Sequence, residues 1–157
     1  MSEIRRILFP TDFSENSKFA IPYVKEYARN NESEIILMHV LEPLISTSDF
    51  TWAGLNFAEV ENKRGDTIEN YMEEMLQEFR SVGLTIRSRL VHGKSHELIC
   101  SVALEENVDL IILSTHGHRG LTHLLMGSTA EMVVRTAPCP VLTIKDDGKK
   151  AKKAGQA

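Results

Sequence analysis

The stretch Val108-Asp109-Leu110-Ile111-Ile112-Leu113-Ser114-Thr115-His116-Gly117-His118-Arg119-Gly120, continued by Leu121 to Met126 and then Gly127-Ser128, decides the fold. Its first six residues form a nearly continuous apolar run of strand length, as a strand buried on both faces requires. A glycine-bearing loop follows. Ser128 and Glu131 then match the S-x-x-E capping box, which predicts a helix over Thr129 to Thr136. Strand, loop and helix start together offer backbone N–H groups to an anion. Gly117 and Gly127 lie ten positions apart with a hydroxyl directly after the second. That arrangement suits a polyphosphate and points to a nucleotide.

Working outward, the same strand–helix alternation fills the chain. Ile4 to Phe9 reads as strand 1. A helix capped by Ser14 is expected to run to about Asn30, with Pro22 inside it removing a backbone bond or kinking it. Glu34 to Val40 reads as strand 2, and Leu41 to about Asn56 as a loop. Ile68, Tyr71, Met72, Met75, Leu76 and Phe79 recur at the spacing of an amphipathic helix, so the methionines read as core. Gly83 ends that helix. Leu84 to Val91 reads as strand 3, Ser95 as the cap of a helix carrying Leu98, Ile99, Val102 and Ala103, and Val108 to Leu113 as strand 4. Pro138-Cys139-Pro140 stops the last helix before strand 5, Val141 to Ile144. Five strands with intervening helices imply an α/β fold: one open parallel sheet with helices on both faces. Strand 3 alternates apolar residues with Thr85, Arg87 and Arg89, the mark of an edge, so the expected order is 3-2-1-4-5. The topological switch then falls between strands 1 and 4, where open α/β sheets bind ligands beyond the strands' C-terminal ends. Those ends are Pro10-Thr11-Asp12 and Ser114 to Gly117.

Composition narrows the classes. A chain of 157 residues, 42% hydrophobic and 25% charged, suits one soluble domain. A net charge of −4 disfavours nucleic acid and anionic membranes as partners. No run reaches the ~18 apolar residues of a membrane span. Met1 to Arg6 leads directly into a strand pattern without a signal-peptide core. Cys100 and Cys139 make no disulfide framework. The expected location is the cytoplasm.

The chain resembles the universal stress protein family over about Glu3 to Lys145. The resemblance rests on Ile7-Leu8-Phe9-Pro10-Thr11-Asp12-Phe13-Ser14, Met38-His39-Val40, Ser114-Thr115-His116-Gly117, Gly127-Ser128-Thr129-Ala130-Glu131 and Pro138-Cys139-Pro140-Val141-Leu142. The nucleotide-binding branch is marked by Gly-x2-Gly-x9-Gly-[Ser/Thr]. Here the run is Ser114-x2-Gly117-x9-Gly127-Ser128, with the spacing kept and serine in place of the first glycine. The resemblance implies a Rossmann-like, adenine nucleotide alpha hydrolase-like fold over residues 1–146; Lys149, Lys150, Lys152 and Lys153 mark 147–157 as a flexible Lys-rich tail. It implies ATP, or AMP or ADP, with Mg or Mn. Gly117, Gly127, Ser128 and Thr129 would contact the phosphates and Ser114 would lie near ribose and phosphates. Asp12 would accept from the ribose. The backbone of Val40 would read the adenine edge, and Pro10, Thr11 and Leu113 would shape the wall. The implied activity is a dimeric regulatory module of the stress response with at most slow ATP hydrolysis.

The residues themselves leave alternatives open. Asp12 beside phosphates is repelled unless it meets hydroxyls or a divalent metal. It also suits a turn. A metal-dependent nucleotide hydrolase using Asp12 is therefore a second reading, and a dimeric interaction protein that binds no nucleotide is a third. Gly93-Lys94-Ser95 is not a P-loop, because the position five residues before Gly93 is Ser88, inside strand 3. His116, His118 and His123 lack an acid or cysteine in their loop to complete a zinc or nickel set. Arg119 reads as a solvated loop charge, His39 as a packed histidine, and Cys139 has no base to activate it. Val141, Leu142, Thr143 and Ile144 are too apolar for a bare sheet edge. They predict a homodimer joined strand to strand, as the resemblance also implies.

Overall fold

The computed structural model describes residues 3–43, 56–115 and 126–145. In it the chain runs β1 (Arg6–Pro10), α1 (Glu15–Lys18), α2 (Ile21–Asn31), β2 (Glu34–Leu41), α3 (Phe57–Ser81), β3 (Ile86–His92), α4 (Ser95–Glu105), β4 (Leu110–Ser114), α5 (Ser128–Thr136) and β5 (Val141–Ile144). The five strands form one parallel sheet in the order β3-β2-β1-β4-β5. This is the expected order, with the arginine-bearing strand at one edge.

Alternation along the central strands divides the core in two, because successive side chains leave a strand on opposite faces. Ile7, Phe9, Ile35, Leu37, Leu110 and Ile112 point to one face, where Val24 and Ala28 of α2 and Met72, Met75, Leu76 and Phe79 of α3 cover them. Leu8, Ile36, Met38, Ile111 and Leu113 point to the other, against Ile99, Val102 and Ala103 of α4 and Ala130 and Val133 of α5. Continuous apolar strands are thus the sequence's answer to a sheet covered on both sides.

Pairing also opens the site. β1 pairs with β2 through five positions, Arg6↔Glu34 to Pro10↔Met38. Its register with β4 covers only Ile7↔Leu110 and Leu8↔Ile111. The two middle strands therefore part toward their C-terminal ends, as expected at a switch point.

Local chemistry moves several expected boundaries. The helix expected from Ser14 to about Asn30 is two helices. Ser14 does cap α1, accepting from the Ser17 N–H. Phe19 and Ala20 then donate to Asn16 and Ser17, three residues back, and the turn tightens. Pro22 has no N–H to give Lys18, so it does not kink a long helix; it sits in the first turn of α2, where no donor is needed. Ser128 does not cap α5. Gly127 holds that position and Ser128 is the first helical residue. Ser95 likewise begins α4 inside the helix, after Lys94 at the cap. β1 starts two residues later than expected and includes Pro10; β2 extends to Leu41, β3 spans Ile86–His92 and β4 spans Leu110–Ser114. α3 reaches back to Phe57, capped by Asn56, whose side chain accepts from the Ala58 N–H.

Candidate functional site

A cleft of about 1160 Å³ opens beyond the C-terminal ends of β2, β1 and β4. Nine of the expected residues line it: Pro10, Thr11, Asp12, Val40, Leu113, Ser114, Gly127, Ser128 and Thr129. They come from four separate parts of the chain, and the fold brings them together. Gly117, Arg119 and the histidines 116, 118 and 123 lie outside the described residues.

The segment after β1 is tied in place from several directions. The Thr11 N–H donates to the Met38 carbonyl (2.9 Å), and the Thr11 hydroxyl donates to Ser17 Oγ (3.0 Å). Asp12 Oδ1 accepts from both the backbone N–H (3.0 Å) and the hydroxyl (2.6 Å) of Ser14. This is a turn aspartate that also lines the cleft. His39 is buried, with Nδ1 at 2.8 Å from the Thr11 carbonyl oxygen. A carbonyl only accepts, so Nδ1 carries the proton.

Gly127 closes the other side. Its N–H donates to the Thr115 carbonyl (2.7 Å), bringing together the chain on either side of the 116–125 stretch. Its φ of −60° and ψ of 149° suit any residue, so backbone conformation does not call for glycine there. No side chain caps α5, and the first backbone donors of that helix stand at the cleft. An uncapped helix start carries partial positive charge and unmet N–H groups, a setting for an anion.

The opposite wall escaped the sequence reading. It comprises Val60, Lys63, Arg64 and Thr67 of α3 with Lys94 and His96 at the start of α4. Its cations are largely spoken for. Arg64 donates to Glu61 (2.8 Å) and to the Glu42 carbonyl (3.3 Å), and Lys94 pairs with Glu97 (2.9 Å). At α4 the Glu42 carboxylate accepts from the Ser95 N–H (3.0 Å), doing what Ser95 was expected to do and placing negative charge where a P-loop would hold phosphate. The polar spacing of one α3 face hinted at this wall, but nothing local in the sequence places α3 beside β2. Elsewhere, burial pushes the Cys139 thiol up, away from thiolate chemistry.

Strand spacing gives the cleft a direction. β2 and β4 flank β1, so their ends stand two strand spacings, ~10 Å, apart. Along that line lie Val40, Asp12, and the start of α5, where Ser128 and Thr129 follow Gly127. The arrangement suits an elongated ligand with an apolar end, a hydroxylated middle and an anionic end.

Residues 3–145 match the universal stress protein family. The chain belongs to that family. Universal stress protein MJ0577 of Methanocaldococcus jannaschii is 36% identical over 153 residues, covering 90% of this chain and 94% of the relative. The solved structure of MJ0577 superposes with a TM-score of 0.81 at 32% identity, over 94% of this chain and all of that one. Two more distant family structures share the fold. One, from Arabidopsis thaliana with AMP bound, has a TM-score of 0.68 at 18% identity and covers 93% of this chain and 94% of its own. The other, a universal stress protein in complex with cAMP, has a TM-score of 0.68 at 19% identity and covers 92% and 98%.

Proposed function

We propose that this universal stress protein binds an adenine nucleotide in the cleft, as ATP, ADP or AMP, and acts as a dimeric regulatory module with at most slow hydrolysis. The observation that carries the reading is the order of groups along the cleft, from the end of β2 to the Asp12 turn after β1 to the start of α5, which suits base, ribose and phosphate in turn. Val40 offers backbone polar groups to the adenine edge. Asp12 accepts from ribose hydroxyls, the one part of a nucleotide that welcomes a carboxylate. Ser128 and Thr129 present N–H groups to the phosphates, and Gly127, whose own N–H goes to the Thr115 carbonyl, lets them come close beside it. Pro10, Thr11 and Leu113 form the wall, and Ser114 stands at its end beside the phosphate positions. Family structures with AMP and with cAMP support the class of ligand.

Among the described residues no three His, Cys, Asp or Glu gather into a metal site. That suits a cation carried by the nucleotide, since Mg is usually held by one or two carboxylates together with phosphates. Mg or Mn would be held by the phosphates and Asp12, and would neutralise phosphate charge. His39, fixed through Nδ1 to Thr11, acts as a brace for the loop and not as a base.

Two further parts complete the proposal. β5 pairs with β4 on one side and is the sheet edge on the other, with Val141, Leu142 and Thr143 only half-buried, so a second copy of β5 is its partner. Among the described residues no helix is long and apolar enough to cross a membrane; the proposed location is the cytoplasm, and the tail expected at 147–157 lies outside the described residues. Mass spectrometry of small molecules released by denaturing the protein after incubation with millimolar ATP tests the reading. Retained adenine nucleotide, near one per chain, is expected. An empty protein, or retention no greater than that of a control protein, contradicts it.

A further inference from the structure

We propose that Phe13 is a positioning residue: its strained backbone, clamped by tilted ring contacts with His39 and Tyr71, sets the direction of the Asp12 carboxylate. The proposal rests on the nucleotide reading above. Phe13 has φ of +59°, in the left-handed region. Bulky L residues enter that region at a cost, while glycine enters freely and asparagine or aspartate cheaply. A phenylalanine there goes against local preference, immediately after the carboxylate that lines the cleft. Such strain persists only where the surroundings over-determine it.

The surroundings do so here. The Phe13 ring lies 5.3 Å from the His39 ring at 33° and 5.7 Å from the Tyr71 ring at 39°, centroid to centroid. His39 belongs to β2 and Tyr71 to α3, so one ring fastens the loop to two elements. Tyr71 keeps this contact although the residue is 47% exposed. His39 also holds the loop's backbone through the Thr11 carbonyl (2.8 Å), and the Phe13 N–H donates to Thr11 Oγ1 (3.1 Å). Beyond Phe13, Ser14 fastens Asp12 Oδ1. The turn from Asp12 to Ser14 passes through the Phe13 backbone. A return to negative φ would change the relation of Asp12 to Ser14 and swing the carboxylate from its present place. The clamp thus converts ring contacts with α3 and β2 into the ability to recognise a ribose diol.

Two substitutions separate the strain from the packing. Phe13→Ala keeps the left-handed cost and removes the clamp. Phe13→Gly removes both. Each is titrated calorimetrically with magnesium ATP and magnesium 2′,3′-dideoxy-ATP, beside thermal melts of the unliganded protein. The native chain is expected to prefer ATP over the dideoxy analogue. Phe13→Ala should lose about tenfold in ATP affinity, the worth of the left-handed cost, with the preference falling toward one. Phe13→Gly should keep the preference within about threefold of native. If alanine does not fold, Phe13→Leu keeps apolar bulk in a left-handed position and is expected to lose the preference likewise. Equal preferences in the strained variant and Phe13→Gly, whether both native or both lost, overturn the proposal while leaving nucleotide binding standing. So does a fall in melting temperature alone. A native chain that binds neither compound overturns the nucleotide reading itself, and this proposal with it.

Discussion

Ser114 stands where the glycine pattern implied by the family resemblance has its first glycine, and the structure sets it at the end of β4, opposite Ile144 and on the cleft wall. One hydroxymethyl group at a site wall crowds a ligand by ~1–2 kcal/mol at most when neighbours rotate. Ser114→Gly is therefore expected to leave nucleotide affinity unchanged or raise it by up to about tenfold. A large loss in titration would make the hydroxyl a ligand contact in its own right. The same scale shows what residue patterns conveyed. Thr11, Asp12 and Gly127 were legible because each follows a strand or opens a helix, and strand ends define the crevice; Val40, near the C-terminal end of β2, came from the family resemblance. The off-by-one at Ser128 was not. S-x-x-E looks the same whether serine caps the helix or begins it, and the glycine before it took the cap at no steric cost. Nor was Glu42 legible as the partner of the Ser95 N–H, because the two stand 53 residues apart.

The elements carry two further expectations. α3 is a helix of 25 residues with a glycine in its interior, and a Cβ at Gly65 would meet nothing within 4 Å. Glycine inside a helix costs about 0.5–1 kcal/mol against alanine. Gly65→Ala is expected to raise stability by about that amount, read as a higher urea midpoint with an unchanged slope. Gly83 is the opposite case: its φ of +80° in the turn after α3 is the conformation for which glycine was expected as a terminator. At the β3 edge, Arg87 donates to Glu106 (2.8 Å) and Glu34 (2.9 Å), and Arg89 donates to Glu106 (2.7 Å). Hydrogen bonding from Arg87, joined by the charges of Arg87 and Arg89, holds the Glu106 carboxyl below the usual carboxylate range. A lowered pKa in the folded state stabilises at pH values above the unfolded value of about 4.3. That stability is lost as pH falls through the folded value. Glu106→Gln should lower stability by about 1 kcal/mol at neutral pH and by progressively less in acid. A penalty that persists undiminished in acid would assign the loss to packing. The helical stripe from Met72 to Phe79 and the alternation of β3 were legible because periodicity reports burial. The break between α1 and α2 was half legible: Pro22 signalled it, and the tight bonds of Phe19 and Ala20 decided that the chain would restart and not bend.

For the whole molecule, the order of strands matters most, because it turns four distant stretches of sequence into one cleft. That order was legible from which strands are apolar throughout and which alternate. The α3 wall was not, since it depends on how a helix crosses the sheet. The second whole-molecule feature is the open edge at β5. Replacing Leu142 and Ile144 with lysine should produce monomers or aggregates, and light scattering of the native protein at micromolar concentration should give about twice the chain mass. A clean native monomer would refute the strand-to-strand arrangement. The central claim is that the crevice between β1 and β4 is a nucleotide site whose phosphate end begins at Gly127. Titration calorimetry of the native chain and Gly127→Val with magnesium ATP tests it most directly. Valine is compatible with φ of −60° and ψ of 149°, so the fold should survive, while its branched side chain would stand where phosphates approach. The account predicts one ATP per native chain and loss of binding in a folded Gly127→Val. Equal affinity in the folded variant, or no binding by the native chain at millimolar ATP, would contradict it.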